Sequence, residues 1–133
     1  MVRRILVIDD NEDIVDLFQA LLDDGQYEVI GSDFIEASAI AQLRPDLLIL
    51  DYLEGMQPVG GQIVSALKRQ RATTSLPVIV CTTASVTKTD LDPALQSDGV
   101  TIVHKPFDVP DLLQTIESSL ARPHRLGSSA ILP

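Results

Sequence analysis

In Pro45-Asp46-Leu47-Leu48-Ile49-Leu50-Asp51, four aliphatic residues run without a break and stop on a carboxylate. A strand with one wet face alternates apolar and polar residues. A run that is apolar at every position has no wet face, so it reads as a strand covered on both sides, as parallel strands are when helices flank the sheet. Asp51 then stands at the carboxyl end of that strand. In open parallel α/β sheets this is the edge where ligands and reacting groups collect.

Three more aliphatic runs and one shorter stretch extend the pattern. Arg4 to Ile8 ends on Asp9-Asp10-Asn11-Glu12-Asp13, Pro77 to Cys81 runs into Thr82-Thr83-Ala84-Ser85, and Gly99 to Val103 delivers His104-Lys105-Pro106-Phe107. Tyr27 to Ile30 is the short one. Between them lie helical spacings: Ile14, Leu17, Phe18 and Leu21; Ala37, Ile40 and Ala41 within 34–43; Ile63, Val64 and Leu67; a weak segment with Leu91, Ala94 and Leu95; and Leu112, Leu113, Ile116 and Leu120 in a helix started by Asp108. Asp10 or Asn11 can cap the first helix, and the basic Lys68-Arg69-Gln70-Arg71 suits the end of the third. Five β-α repeats predict an α/β domain with a five-stranded parallel sheet, helices on both faces and right-handed crossovers. From Arg122 onward the periodicity stops, so residues 1–121 are expected as the domain and 122–133 as a flexible C-terminal tail.

Composition narrows the function classes. Ten Lys and Arg against nineteen Asp and Glu leave a formal charge of -9, which repels phosphate backbones and argues against direct nucleic-acid binding. The apolar runs are too short to cross a bilayer and the first residues do not form a signal peptide, so the expected location is cytoplasmic, with no membrane partner. Cys81, the only cysteine, lies inside an aliphatic run and reads as a small buried hydrophobe.

The strand ends send Asp9, Asp10, Asp51, Thr82 and Lys105 to one rim. Carboxylates crowded together repel unless a cation intervenes, and hard oxygen donors with room for water suit Mg²⁺. Such a rim is poised for phosphoryl transfer, with Asp51 taking the group in line. These pieces, Ile-Leu-Val-Ile-Asp9-Asp10-Asn-Glu, Leu-Leu-Ile-Leu-Asp51, Leu-Pro77-Val-Ile-Val-Cys-Thr82-Thr-Ala84 and His-Lys105-Pro106-Phe107, resemble the response-regulator receiver domain of two-component signalling, in order and in spacing, from residue 2 to about 121. The resemblance implies a flavodoxin-like strand order, 2-1-3-4-5. It also implies Asp51 as phosphoacceptor, Asp9 and Asp10 as acids that hold Mg²⁺ together with Asp51 and the Leu53 backbone carbonyl, Lys105 as the partner of the phosphoryl group and Thr82 as the switch hydroxyl. The implied partners are a sensor histidine kinase or phosphotransfer protein, and a downstream protein met through the face of the fourth helix, fifth strand and last helix. The chain would be a signalling domain of the stand-alone, chemotaxis-regulator-like kind and not an enzyme.

Two departures qualify the resemblance. After the acceptor the family runs to Met-Pro and then a glycine, whereas here Glu54, Gly55 and Val59 hold those places and Gly60-Gly61 follow. The loop reads as one or two residues longer, which would displace the Leu53 carbonyl; Glu54 is either a further metal ligand or a solvated acid. Ile102 stands where the family places its switch aromatic. Three competing readings remain: a degenerate receiver that binds partners without phosphorylation, the receiver piece of a larger regulator, and a flavin carrier. The acids of the first loop would repel a flavin phosphate. An aspartyl-phosphate hydrolase would want a second acid two residues after its nucleophile, where Leu53 stands.

Overall fold

The structure, a computed structural model, describes residues 2–22, 25–85 and 89–121, so the expected tail, with His124, lies outside the described residues. Five strands, β1 (Arg3–Ile8), β2 (Tyr27–Ser32), β3 (Leu47–Leu50), β4 (Val78–Thr82) and β5 (Val100–His104), form one parallel sheet in the order β2-β1-β3-β4-β5. Helices α1 (Glu12–Leu22), α2 (Ala37–Leu43), α3 (Val59–Arg69) and α4 (Val109–Ala121) surround it, with 3-10 turns at Arg71–Thr73 and Pro93–Gln96.

Because side chains alternate across a strand, each aliphatic run feeds two cores at once. On one face Leu6, Ile8, Leu48, Leu50, Val78 and Val80 meet Ile40 of α2 and Ile63, Val64 and Leu67 of α3. On the other face Ile5, Val7, Leu47, Ile49, Ile79 and Cys81 meet Phe18 and Leu22 of α1 and Leu112, Ile116 and Leu120 of α4. The register sets Ile5 beside both Val29 and Leu47, so the central strands have no wet face, as their composition requires. Cys81 is buried among these aliphatics, and that burial pushes its thiol up to about 11. No helix among the described residues is long and apolar enough to cross a membrane.

The helices depart from their expected spans for local reasons. Leu17, expected inward, is exposed, and the stripe of α1 instead runs through Phe18 and Leu22. The second helix starts at Ala37 and not near Phe34. Asp33 accepts the Phe34 N–H at 2.8 Å and Glu36 is extended, which turns Phe34 and Ile35 onto the core before the helix begins. Between β4 and β5 the expected helical segment is, from residue 91 to 97, only the 3-10 turn Pro93–Gln96, capped by Asp92; Leu95 is buried, whereas Leu91 points outward. Pro93 removes one donor from the first turn, consistent with so short an element.

The longer loop after Asp51 is taken up by a two-residue hairpin. Glu54 and Gln57 exchange backbone hydrogen bonds at 2.9 and 3.0 Å, with Gly55 at φ +61° and Met56 at the tip. Positive φ at the first central residue alone is the signature of a type II′ turn, which glycine adopts without strain. The chain then enters α3 so closely that a Cβ on Gly60 would lie 2.6 Å from both the Asp51 carbonyl oxygen and the Tyr52 Cα. Gly60→Ala gains about 1 kcal/mol of helix propensity, but the atoms it would strike are backbone and cannot rotate away. Overpacking of that kind costs typically ~1–3 kcal/mol. The variant is expected to melt several degrees below wild type, and an equal or higher Tm would contradict this close approach.

Candidate functional site

The sheet ladder continues one residue past the strands and so fixes the rim. The Asp9 N–H donates to the Ser32 carbonyl at 3.2 Å, the Asp51 N–H to the Ile8 carbonyl at 2.9 Å and the Lys105 N–H to the Thr82 carbonyl at 2.8 Å. Three residues far apart in sequence are thereby held at the carboxyl edge with little backbone freedom.

Asp9, Asp10 and Asp51 each turn a carboxylate oxygen into one group, these atoms lying within 4.8 Å of one another. Lys105 Nζ donates to Asp9 Oδ2 at 3.0 Å and lies 3.6 Å from Asp51 Oδ2. The Asp9 side chain is 4% exposed, that of Asp51 11% and that of Lys105 14%, so the contacts are little screened by water. Asp9 Oδ1 accepts the Asn11 N–H at 2.9 Å, and Asn11 in turn accepts the Asp13 N–H and caps α1. Of the two capping candidates, Asn11 takes the role.

Charge at Asp51 is disfavoured on balance. Burial raises its pKa above the ordinary carboxylate range, and the Asp9 charge adds to that; the Leu53 N–H, Lys105 and the Thr82 hydroxyl oppose it without prevailing. Lys105 shows the converse. Burial works against its ammonium, yet the Asp9 hydrogen bond and the two nearby carboxylates hold its pKa above the usual lysine value.

Thr82, fully buried, accepts the Ala84 N–H at 3.0 Å through its hydroxyl oxygen. Part of its role is thus local turn chemistry, and part is directed at Asp51. The Leu53 N–H donates to Asp51 Oδ1 at 3.2 Å. Leu53 therefore stays beside the Asp51 carboxylate, and the hairpin of Glu54 and Gln57 lies beyond it. Glu54 is exposed and stands outside the carboxylate group, which agrees with a solvated acid. His104 is partly buried, its Nε2 3.4 Å from the Thr89 hydroxyl. Two features had no motif to announce them: the cis bond between Lys105 and Pro106, and a hydrogen bond of 2.7 Å from the Tyr52 hydroxyl to Asp92. The second had one signal, since a tyrosine in the core needs a partner for its hydroxyl.

An open α/β sheet with acids and a lysine on its carboxyl edge is the arrangement of a receiver, and the comparisons agree. The profile of the response regulator receiver domain matches residues 5–117, and the chain belongs to that family. It is similar to the DNA-binding dual master transcriptional regulator RpaA of Synechocystis sp., 32% identical over 130 residues, a match covering 96% of this chain and 53% of the relative. The chain thus spans about half the length of the curated relatives it matches. A putative response regulator from Chloroflexus aurantiacus superposes with a TM-score of 0.73 at 21% identity, over 92% of this chain and 100% of the other. The receiver domain of a sensor histidine kinase from Pseudomonas aeruginosa, solved with a magnesium ion coordinated in its active-site cleft, gives 0.72 at 17% identity, with 92% and 100% covered. At those identities the solved structures speak for the fold. Receiver domains bind Mg²⁺ at an acidic cluster, and the donor set here, three carboxylates beside one ammonium, fits a hard divalent cation that adds positive charge.

Two stability changes follow from these electrostatics. Because the fold raises the Asp51 pKa, wild type is relatively most stable below the ordinary carboxylate pKa and loses that advantage as pH rises through the raised value. Without divalent cations at neutral pH, Asp51→Asn is therefore expected to melt a few degrees higher, a gain on the order of 1 kcal/mol, and the gap should close in acid. Lys105→Met leaves Asp9 buried without its counter-charge and is expected to lose about 3–5 kcal/mol. Melting curves at pH 4 and pH 7.5 check both signs.

Proposed function

We propose that this chain is a phosphoacceptor receiver. It takes a phosphoryl group onto Asp51 from a histidine kinase or phosphotransfer protein in a Mg²⁺-dependent reaction, and it signals through altered protein contacts. The observation that carries the reading is the position of Lys105, which reaches both Asp9 and Asp51 while Asp10 completes the carboxylate group.

In the transfer, an oxygen of Asp51 attacks the donor phosphorus in line. An O–P bond forms as the donor's P–N bond breaks, and the bond pair leaves with the imidazole nitrogen, which is neutral once protonated. Lys105 pairs with the phosphoryl oxygens, and its raised pKa keeps it charged at physiological pH. The Leu53 N–H stays on Asp51 Oδ1 and orients the carboxylate. The Thr82 hydroxyl serves as the switch group that follows the phosphoryl oxygens. Asp9, Asp10, Asp51 and the Leu53 carbonyl would hold Mg²⁺, which would supply charge neutralisation for the transferring group.

The domain boundary is read at residue 121, the end of α4. The output surface is the face of the Pro93–Gln96 turn, β5 and α4, in a protein that works in the cytoplasm without contacting nucleic acid itself. Since the chain spans about half of its curated relatives, a second reading makes it the receiver part of a longer regulator, whose DNA binding would reside elsewhere.

Incubation with a small phosphodonor and Mg²⁺ is expected to add one phosphate by mass spectrometry, with none in EDTA and none in Asp51→Asn. No uptake by wild type would leave a partner-binding module that works without phosphorylation. Leu53 and Ala84, which flank the site, have no side-chain group to orient an attacking water, so the phosphorylated protein is expected to persist for minutes or longer. Decay within seconds would contradict this.

A further inference from the structure

We propose that the Tyr52–Asp92 hydrogen bond carries the state of Asp51 to the surface between β4 and β5; this rests on Asp51 being the phosphoacceptor. Tyr52 directly follows Asp51, is 3% exposed, and packs in the core shared by α2 and α3. Its hydroxyl donates to Asp92 Oδ2 at 2.7 Å, while Asp92 Oδ1 accepts the Ala94 N–H at 3.0 Å and so caps the 3-10 turn Pro93–Gln96. The Asp92 N–H donates to the Thr89 carbonyl at 3.2 Å. The Asp92 carboxylate thus joins the buried ring to the Ala94 N–H, and the Asp92 backbone ties the pair to Thr89 in the β4–β5 connection. Leu91, 76% exposed, is its chain neighbour.

The other end of the link touches the acceptor. The Leu53 N–H donates to Asp51 Oδ1 at 3.2 Å. Phosphorylation turns one carboxylate oxygen into the bridging oxygen of an acyl phosphate and moves the charge outward onto the phosphoryl group. A charge-assisted hydrogen bond to that carboxylate weakens accordingly. Residues 51–53 are tied to α3, because the Tyr52 carbonyl accepts the Gly60 N–H at 2.8 Å and the backbones approach so closely there that not even a Cβ on Gly60 would fit. Displacement is left the path through the Tyr52 ring, a rigid lever whose far end is bonded. Burial first, and then the Asp92 bond, push the phenol up to about 12, so it remains a donor throughout the physiological range. Ile102 offers no ring to carry such a signal along β5, and it packs in the same core as Tyr52.

Backbone hydrogen exchange at residues 89–97, with and without beryllofluoride and Mg²⁺ as a phosphoryl mimic, tests the link. Tyr52→Phe removes only the hydroxyl and keeps the packing. Wild type is expected to change its exchange at 89–97 by roughly fivefold or more on binding the mimic, the lower range of ordinary coupling between sites. Tyr52→Phe should bind the mimic with similar affinity and lose most of that change. Asp92→Ala should lose it equally, and the double variant no further, as expected for two groups acting through one bond. A full response in Tyr52→Phe, or none in wild type that has bound the mimic, overturns the coupling. Failure of wild type to bind the mimic, read by fluorine NMR, overturns the phosphoacceptor reading and the coupling with it.

Discussion

Lys105 is the only cation the rim presents to Asp9 and Asp51 among the described residues, and much of the molecule is arranged to keep it there. Three carboxylates drawn together in a partly dry edge repel one another, and one ammonium at 3.0 and 3.6 Å offsets only part of that repulsion. Both pKa values are raised, with opposite effects on charge: burial first pushes Asp51 toward its neutral form, while the neighbouring carboxylates hold Lys105 charged despite burial. Such an edge is stable enough to exist and incomplete enough to favour another cation. The stiffness needed to hold it comes from two fully packed cores on either side of the central strands, so that the ladder bonds of Asp9, Asp51 and Lys105 have no room to give.

Much of this was legible in the amino-acid order because it depends on short patterns. Aliphatic runs without a polar position can only be strands covered on both faces, and the polar residue ending each run must then emerge at one edge of a parallel sheet. That reasoning assigns Asp9, Asp51, Thr82 and Lys105 to one rim without any knowledge of distance. What it cannot supply is anything set by contacts between distant loops. The hairpin at Glu54–Gln57 shows in the sequence only as extra length, because Glu-Gly-Met-Gln carries one turn residue where Asn-Gly would carry two. The spacing of Leu91, Ala94 and Leu95 predicts only a weak helical segment and misplaces one face of it, since Leu91 faces solvent and only Pro93–Gln96 turns within 91–97. The Tyr52–Asp92 bond spans 40 positions, and no local pattern reports it.

The loop after Asp51 is pinned at both ends. Two anchors bracket it, the Leu53 N–H on Asp51 and the Gly60 N–H on the Tyr52 carbonyl. Between them the residues fold back on themselves through the paired bonds of Glu54 and Gln57, leaving Met56 81% exposed and away from the carboxylates. Lengthening a loop adds little closure entropy. The strict requirement falls on Gly60, where any side chain would strike backbone.

Charge governs how such a rim can be approached. Asp9, Asp10, Glu12, Asp16 and Asp33 line a groove of about 420 Å³ running from the site along α1 to the end of β2, in a protein whose formal charge is -9. An anionic phosphodonor meets a repulsive field over that approach, and its attraction to Lys105 acts only at short range because salt screens exposed charges beyond ~8–10 Å. Without a divalent cation to offset that field, a free anion therefore has little reason to dwell at the site. A donor group carried by a protein surface that offers bases to this groove brings its own compensation. The same acids that make the pocket favourable for a divalent cation thus repel a free anion, and both properties rest on the imbalance that Lys105 leaves uncorrected.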